Sequence, residues 1–272
     1  MMKFISPRLA LFILTSLLVT PAAHALIIYG GATGHTTDPG GGLPWDNVGN
    51  TGVYLGAYNT GYWIITANHV GSSGITLNGT TYTSVGGSAQ QIGSTDLLLY
   101  RIDVSGGAPS LDDLTISSLA PIIGQPVKMI GDGGGTKTWG NNTVDSYGAY
   151  TLVNEGPTTL GLFTTYSSID GEAQAQGGDS GGGLFYEYAS GQWLLSGILS
   201  GVGTTEGTQF TASVNIAAYY SDISLIVGTQ LSAVPEPATW AALLGGMALV
   251  ATLIIRRRSP SSLSSNVRTS CP

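Results

Sequence analysis

The sequence predicts an all-β domain of antiparallel strands that ends in one short helix. Three observations carry this. Seven short runs of apolar or alternating residues recur through the middle of the chain. Clusters of Gly, Ser, Thr and Asn separate them, supplying the torsions that turns require. No long helical pattern alternates with the runs, so nothing supports a parallel sheet. Residues 26–234, which contain all seven, number 209, the size of one all-β double barrel or sandwich.

The elements follow in chain order. Lys3 and Arg8 precede the uncharged run Leu9 to Thr20, then Pro21 and the small-residue pattern Ala23-His24-Ala25. This reads as a secretory signal peptide, residues 1–25, cut after Ala25; a dozen apolar residues are too few to span a bilayer. The strands are expected at Gly52 to Ala57, Tyr62 to Ala67, Leu97 to Ile102, Pro126 to Ile130, Leu184 to Tyr188, Trp193 to Leu199 and Gln209 to Val214. Ser84 to Ser94 and Gly201 to Gly207 read as surface loops. The helix follows Asn215, a suitable cap, with Ile216, Tyr219, Tyr220, Ile223, Ile226 and Val227 on one apolar face.

At the far end, Val234-Pro235-Glu236-Pro237 leads into eighteen uncharged residues, Ala238 to Ile255, and then Arg256-Arg257-Arg258. A helix of that length reaches about 27 Å, enough to cross the hydrocarbon layer, and the arginines would keep its end cytoplasmic. These three features together resemble the PEP-CTERM sorting signal of Gram-negative bacteria that export extracellular polymer. The resemblance implies an exosortase-type processing enzyme as a partner near Pro235. Residues 234–258 are then the sorting signal with its transmembrane helix, and 259–272 a polar cytoplasmic tail. The main domain would lie in the cell envelope or extracellular matrix, held at first by the membrane.

Between the two ends only Arg101, Lys128 and Lys137 are basic, against fifteen acids, a net charge of −12 for residues 26–234. A nucleic-acid partner is excluded on that balance, since phosphate binding needs a basic footprint. The lone Cys271 cannot form a disulfide framework or a cysteine metal site within one chain.

Chemistry concentrates on three short blocks. A serine hydroxyl is a weak nucleophile until a base takes its proton, and imidazole suits that work near neutrality. Residues 26–234 contain two histidines: His35, in a Gly/Thr-rich loop, and His69, which closes an apolar strand running from Tyr62 to Val70. Downstream, Gly177-Gly178-Asp179-Ser180-Gly181-Gly182-Gly183 sets one serine among glycines, which allow unusual torsions and close approach of a substrate backbone. Asp96 precedes Leu97-Leu98-Leu99-Tyr100, a run that would bury its carboxylate and so demand a partner. Gly131 to Thr138 looks superficially like a phosphate loop, but Thr136 stands where a glycine is required and no helix follows. Asp112-Asp113 lacks calcium-loop spacing and reads as a solvated turn.

Thr66-Ala67-Asn68-His69, Asp96-Leu97-Leu98-Leu99-Tyr100 and Gly178-Asp179-Ser180-Gly181-Gly182, in that order, resemble the signature blocks of the chymotrypsin-like (trypsin-type) serine proteases. Gly131-Asp132-Gly133, Gly197-Ile198-Leu199-Ser200-Gly201 and the Asn215 helix extend the resemblance over most of residues 26–228. It implies two antiparallel six-stranded β-barrels within residues 26–233, and an endopeptidase that needs no metal or cofactor. It makes Ser180 the nucleophile, His69 the general base and acid, Asp96 the carboxylate that orients His69, and the N–H groups of Gly178 and Ser180 the oxyanion hole. Ser200 would back onto Asp96 and bind substrate backbone. Gln174 would floor the primary specificity pocket, with Val202 and Thr208 narrowing it, which implies small or medium uncharged residues before the scissile bond. Asp179 would pair with a freed α-amine, here exposed by cleavage ahead of Leu26-Ile27-Ile28-Tyr29-Gly30-Gly31. Two rival readings are a catalytically inactive surface or matrix binding protein that keeps the fold, and a structural biofilm protein.

Overall fold

The computed structural model describes residues 25–228, apart from 60, 134 and 153–157. Residues 1–24 of the expected signal peptide and all of the expected sorting signal, transmembrane helix and tail lie outside the described residues. Among the described residues no helix is long and apolar enough to cross a membrane.

The described residues of the chain are mostly β-structure with one α-helix. Its first half contributes β1 (Ile27–Ile28), β2 (Val48–Gly49), β3 (Gly52–Tyr58), β4 (Gly61–Thr66), β5 (Ile75–Leu77), β6 (Thr80–Tyr82), β7 (Gln90–Gln91) and β8 (Leu98–Arg101). The second half contributes β9 (Pro126–Gly131), β10 (Thr138–Thr143), β11 (Ser146–Tyr150), β12 (Thr159–Thr165), β13 (Ala173–Gln174), β14 (Gly183–Ala189), β15 (Gln192–Thr205) and β16 (Thr208–Asn215). A 3-10 turn, Ile216–Tyr219, then leads into α1 (Tyr220–Val227).

All seven expected strands form. They belong to two antiparallel sheets, one of five strands in the order β2-β3-β4-β8-β7 and one of seven in the order β10-β9-β14-β15-β16-β12-β11. The arrangement is consistent with a two-barrel domain, but the strands do not divide six and six. Two ribbons, β5-β6 and β1-β13, stand apart from the sheets. The first is tied to the five-stranded sheet by side chains rather than by a ladder: the hydroxyls of Thr51 and Tyr100 both donate to Gly74 O, and Thr76 N donates to Asn50 Oδ1.

Period-two alternation sorts the side chains between cores. In β3, Val53 and Leu55 face a large cluster shared by both halves of the chain, while Tyr54 between them faces a smaller one with Ile64, Ile75, Leu77, Tyr100 and Ile102. With both faces of β4 and β8 covered, the sequence there reads as continuous apolar runs. A third cluster, including Met129, Leu162, Leu184 and Leu199, fills the second half. The shared cluster takes Ile130, Phe185, Leu195, Ile198 and Val214 from the second sheet and Ile216, Ile223 and Val227 from the carboxyl-terminal turn and helix.

Asn215 caps that segment by accepting from Ala217 N at 3.2 Å, and its apolar residues pack as the periodicity requires. The helix is shorter than expected because its first turn is wound as a 3-10 turn. At its other end Val227 O accepts from Asn59 Nδ2 at 3.0 Å, fastening the helix to the β3-β4 turn. One expected loop is a strand: Gly201 to Thr205 continue β15 and pair with Ala212 to Thr208 of β16. The glycine there hid the strand, yet the strand needs it, since a Cβ on Gly203 would lie 2.4 Å from the Phe210 ring. Within the other expected loop, Gln90–Gln91 form the short edge strand β7.

Replacing Asn215 with Ala should lower stability by about 0.5–2 kcal/mol, through loss of the cap that seats the helix, read by thermal or urea unfolding.

Candidate active site

His69 does not close a strand. The β4 ladder ends where Thr66 pairs with Leu98, and a 3-10 turn, Asn68–Val70, carries His69 out of the sheet. The turn is held by Val70 N on Ala67 O and Gly71 N on Asn68 O. Leaving the ladder frees the His69 backbone N–H, which donates to Asp96 Oδ1 at 3.0 Å. The imidazole Nδ1 lies 3.0 Å from both Asp96 oxygens. The side chains of His69 and Asp96 are 22% and 10% exposed, so the carboxylate is the more desolvated partner.

Asp96 sits just ahead of β8 and is gripped from the second half of the chain too. Its backbone N–H donates to Thr159 Oγ1 at 2.9 Å, and Ser200 Oγ donates to Asp96 Oδ2 at 2.5 Å. Ser200 reaches it because β15 carries a bulge: Leu199 pairs with Ser213 and Gly201 with Ala212, leaving Ser200 as the extra residue. Its hydroxyl turns to Asp96 and its carbonyl accepts from Ser180 Oγ at 3.3 Å. His69, Asp96, Ser200 and Ser180 therefore form one connected constellation.

The Ser180 loop is tightly tethered. Asp179 N donates to Gln176 O, Gly181 N to Leu199 O, and Gly182 N to Asp179 O. Gly181 has φ +92°, and a Cβ there would fall 2.7 Å from Thr51 O and from Thr66 Oγ1, so glycine lets the Ser180 loop touch the end of β4. Gly133 meets the loop from below, where a Cβ would overlap the Gly178 carbonyl. Gly178 itself has φ +103°, and neither its N–H nor that of Ser180 enters a backbone–backbone hydrogen bond among the described residues.

Beside Ser180 lies a hollow of about 200 Å³, lined by Ala175, Gln176, Gly177, Leu199, Ser200, Gly201 and Val202, with no charged side chain. Ser200 and Val202, both expected to meet substrate, line it. Gln174 and Thr208 do not line it. Gln174 is buried in β13, paired with Ile27, and its Oε1 has no hydrogen-bond partner among the described residues. Thr208 borders a different depression with Phe163, Thr165 and Phe210, because the β15-β16 ladder places it at the hairpin tip opposite Thr205. Thr208 lies beyond the irregularity that the paired strands β15 and β16 carry between Leu199 and Gly201, which a linear count does not register. Thr159 was also missed: a single threonine carries no local signal of the aspartate it will meet.

Asp179 is 2% exposed. Its Oδ2 accepts from Gln176 N at 2.8 Å, whereas its Oδ1 has no hydrogen-bond partner among the described residues. Burial pushes its carboxyl up to about 6, with the Gln176 and Gly133 N–H groups drawing it partly down and Asp132 adding to the rise. Leu26 lies close by. A Cβ on Gly131 would meet Asp179 Oδ1 at 2.6 Å and Leu26 Cδ2 at 3.1 Å, and Leu26 N donates to Thr138 Oγ1 at 2.8 Å.

No protein-family model and no curated protein matches this chain. Solved structures do resemble it. An inactive form of Rv3671c from M. tuberculosis is 18% identical, with 72% of this chain and 93% of that one covered at a TM-score of 0.48. The MamO protease domain from Magnetospirillum magneticum is 17% identical, with 66% and 97% covered at 0.45. The HtrA-type protease AlgW with a decapeptide is 19% identical at 0.43, and 64% of this chain spans 50% of that one.

The folded chain holds the Asp179 proton more tightly than the unfolded chain does. Above the ordinary carboxylate value of 3.8 and up to about 6 it therefore loses stability as pH rises. Asp179→Asn removes that loss. In the chain left uncut ahead of Leu26, the variant's stability relative to wild type should climb between pH 4 and 7 by up to about 3 kcal/mol, measured by urea unfolding across the range.

Proposed function

We propose that this protein is an exported serine endopeptidase working through Ser180, His69 and Asp96. The observation that carries the reading is the Asp96 carboxylate, which faces His69 Nδ1 with both oxygens while Ser200 joins it to Ser180. A carboxylate on Nδ1 favours the tautomer with a proton there, leaving Nε2 to act as base, and it stabilises the imidazolium once formed.

In this reading Ser180 Oγ bonds to the scissile carbonyl carbon as its proton passes to His69 Nε2. The carbonyl oxygen takes the negative charge and receives the N–H groups of Gly178 and Ser180. The carbon–nitrogen bond then breaks, His69 returns the proton to the leaving amine, and an acyl-enzyme remains. Water attacks that ester with His69 again as base, and Ser180 is regenerated. An oxyanion donor of this kind is typically worth about 10²–10³ in turnover, a physical reason for glycine at 178, where φ is +103°.

The substrate is a protein or peptide. The uncharged hollow beside Ser180, with Val202 on its wall, favours small uncharged side chains before the scissile bond over Lys or Arg. Asp179 is the activation residue: cleavage ahead of Leu26 would give an ammonium for the orphaned Oδ1, and the crowding of Leu26 and Asp179 around Gly131 supports that pairing. Export through residues 1–25, membrane tethering and processing near Pro235 by an exosortase-type enzyme complete the proposal.

A fluorophosphonate probe should label the purified protein stoichiometrically and fail on Ser180→Ala and His69→Ala. The labelling rate should fall below pH 6–7 as imidazole protonates. Absence of labelling from the folded, correctly trimmed protein would favour a binding protein that keeps the fold. Among chromogenic peptides, those with Ala or Val before the scissile bond should be cleaved faster than those with Arg; the reverse order would refute the pocket assignment.

A further inference from the structure

One buried hydroxyl beside the constellation has no role in the mechanism above. Tyr150 ends β11 and pairs across the ladder with Thr159, the residue whose hydroxyl takes the Asp96 N–H. Directly opposite residues share a face of the sheet, so Tyr150 stands on the side from which Thr159 reaches Asp96. Its ring packs on Gly161, where a Cβ would fall 2.7 Å from it, and edge-on against Phe163 at 6.0 Å between centroids. Those contacts leave the ring little freedom.

The Tyr150 hydroxyl is buried without a hydrogen-bond partner among the described residues. Such a group is expensive to leave unsatisfied. Burial pushes the phenol's proton affinity up, and the neighbouring Ser200 hydroxyl moderates the rise. The other titratable groups facing it are Asp96 and Tyr219. Tyr219 is already engaged, accepting from Leu160 N at 2.8 Å. Ser200 is the acceptor with capacity to spare, because its one hydrogen is committed to Asp96 and its oxygen keeps lone pairs.

We propose that Tyr150 is a positioning residue whose O–H donates to Ser200 Oγ in the working site, completing a chain from Tyr150 through Ser200 and Asp96 to His69. The donation polarises the Ser200 hydroxyl toward Asp96 and keeps it from rotating away. Asp96 then stays aimed at His69 with part of its charge already satisfied. Without Tyr150 the Ser200 hydroxyl is free to turn, Asp96 becomes a stronger base, and His69 holds its proton more tightly. The proposal rests on the reading of Ser180, His69 and Asp96 as a catalytic unit.

The test pairs nuclear magnetic resonance titration of the histidines with fluorophosphonate labelling, in wild type, Tyr150→Phe, Ser200→Ala and the double variant. The full chain has three histidines, and His69→Ala assigns the relevant signal. Tyr150→Phe removes one hydroxyl and keeps the ring that packs on Gly161 and Phe163, so a dispersed spectrum is expected and serves as the check on folding. Support is a rise in the His69 pKa and a labelling rate about threefold to tenfold lower, the worth of one ordinary hydrogen bond, with neither change seen when Phe is introduced into Ser200→Ala. An unaltered His69 pKa in Tyr150→Phe overturns the proposal, as does an equal loss in the Ser200→Ala background. A wild type whose His69 pKa responds to Tyr150→Phe but whose Ser180 takes no probe would keep the chain of contacts and refute the protease reading instead.

Discussion

The Asp96 carboxylate is where the two halves of the chain become one site. It is largely withdrawn from water, so its charge needs partners, and they come from both sides: the imidazole and backbone N–H of His69 from the first half, the Ser200 hydroxyl from the second. Even its own N–H is anchored in the second half, on Thr159. Removing one partner from a buried charge leaves desolvation uncompensated, which ties the aim of His69 to the register of strands far away in sequence.

The shared apolar cluster gives that arrangement its rigidity. Phe185, Ile198 and Val214 of one sheet pack with Val53, Ile65 and Leu99 of the other, and α1 closes the same cluster from the carboxyl end. Lys137 adds a polar tie, donating to the carbonyls of Trp45 and Val48 across the boundary while its ammonium lies 4.9 Å from the Trp45 ring centre. The seam is therefore packed rather than hinged, and a constellation built across it keeps its geometry without disulfides.

What could be read from the sequence was what repeats locally. Strands buried on two faces, such as Tyr62 to Ala67, announce themselves as apolar runs, and the Asn215 helix by its cap and period. The candidates His69, Asp96 and Ser180 stand out because each sits in a short distinctive block, and the fold connects them through Ser200. Features defined by pairing were not. The ribbons β1-β13 and β5-β6 join residues with no shared local pattern, Gly201 to Thr205 looked like a loop because of its glycines, of which Gly203 makes room for the Phe210 ring, and Thr159 and Tyr150 acquire meaning only from the β11-β12 register. Gln174 and Thr208 were assigned by position along the chain; a count sees neither the bulge and hairpin tip that place Thr208 nor the distant β1 strand that pairs with Gln174.

The bulge at Ser200 also bears on how this chain can tolerate change. It breaks the parity of β15, so side chains before and after it are set by separate stretches of ladder. Beyond it the hairpin runs out to an exposed tip between Thr205 and Thr208. Residues gained or lost at that tip lengthen or shorten the arm without passing a register shift back to Ser200, whereas one residue gained or lost between Leu199 and Gly201 would swing its hydroxyl to the opposite face. The arm is thus a place where length can drift between descendants of this sequence, while the few residues at its root are held to a fixed count.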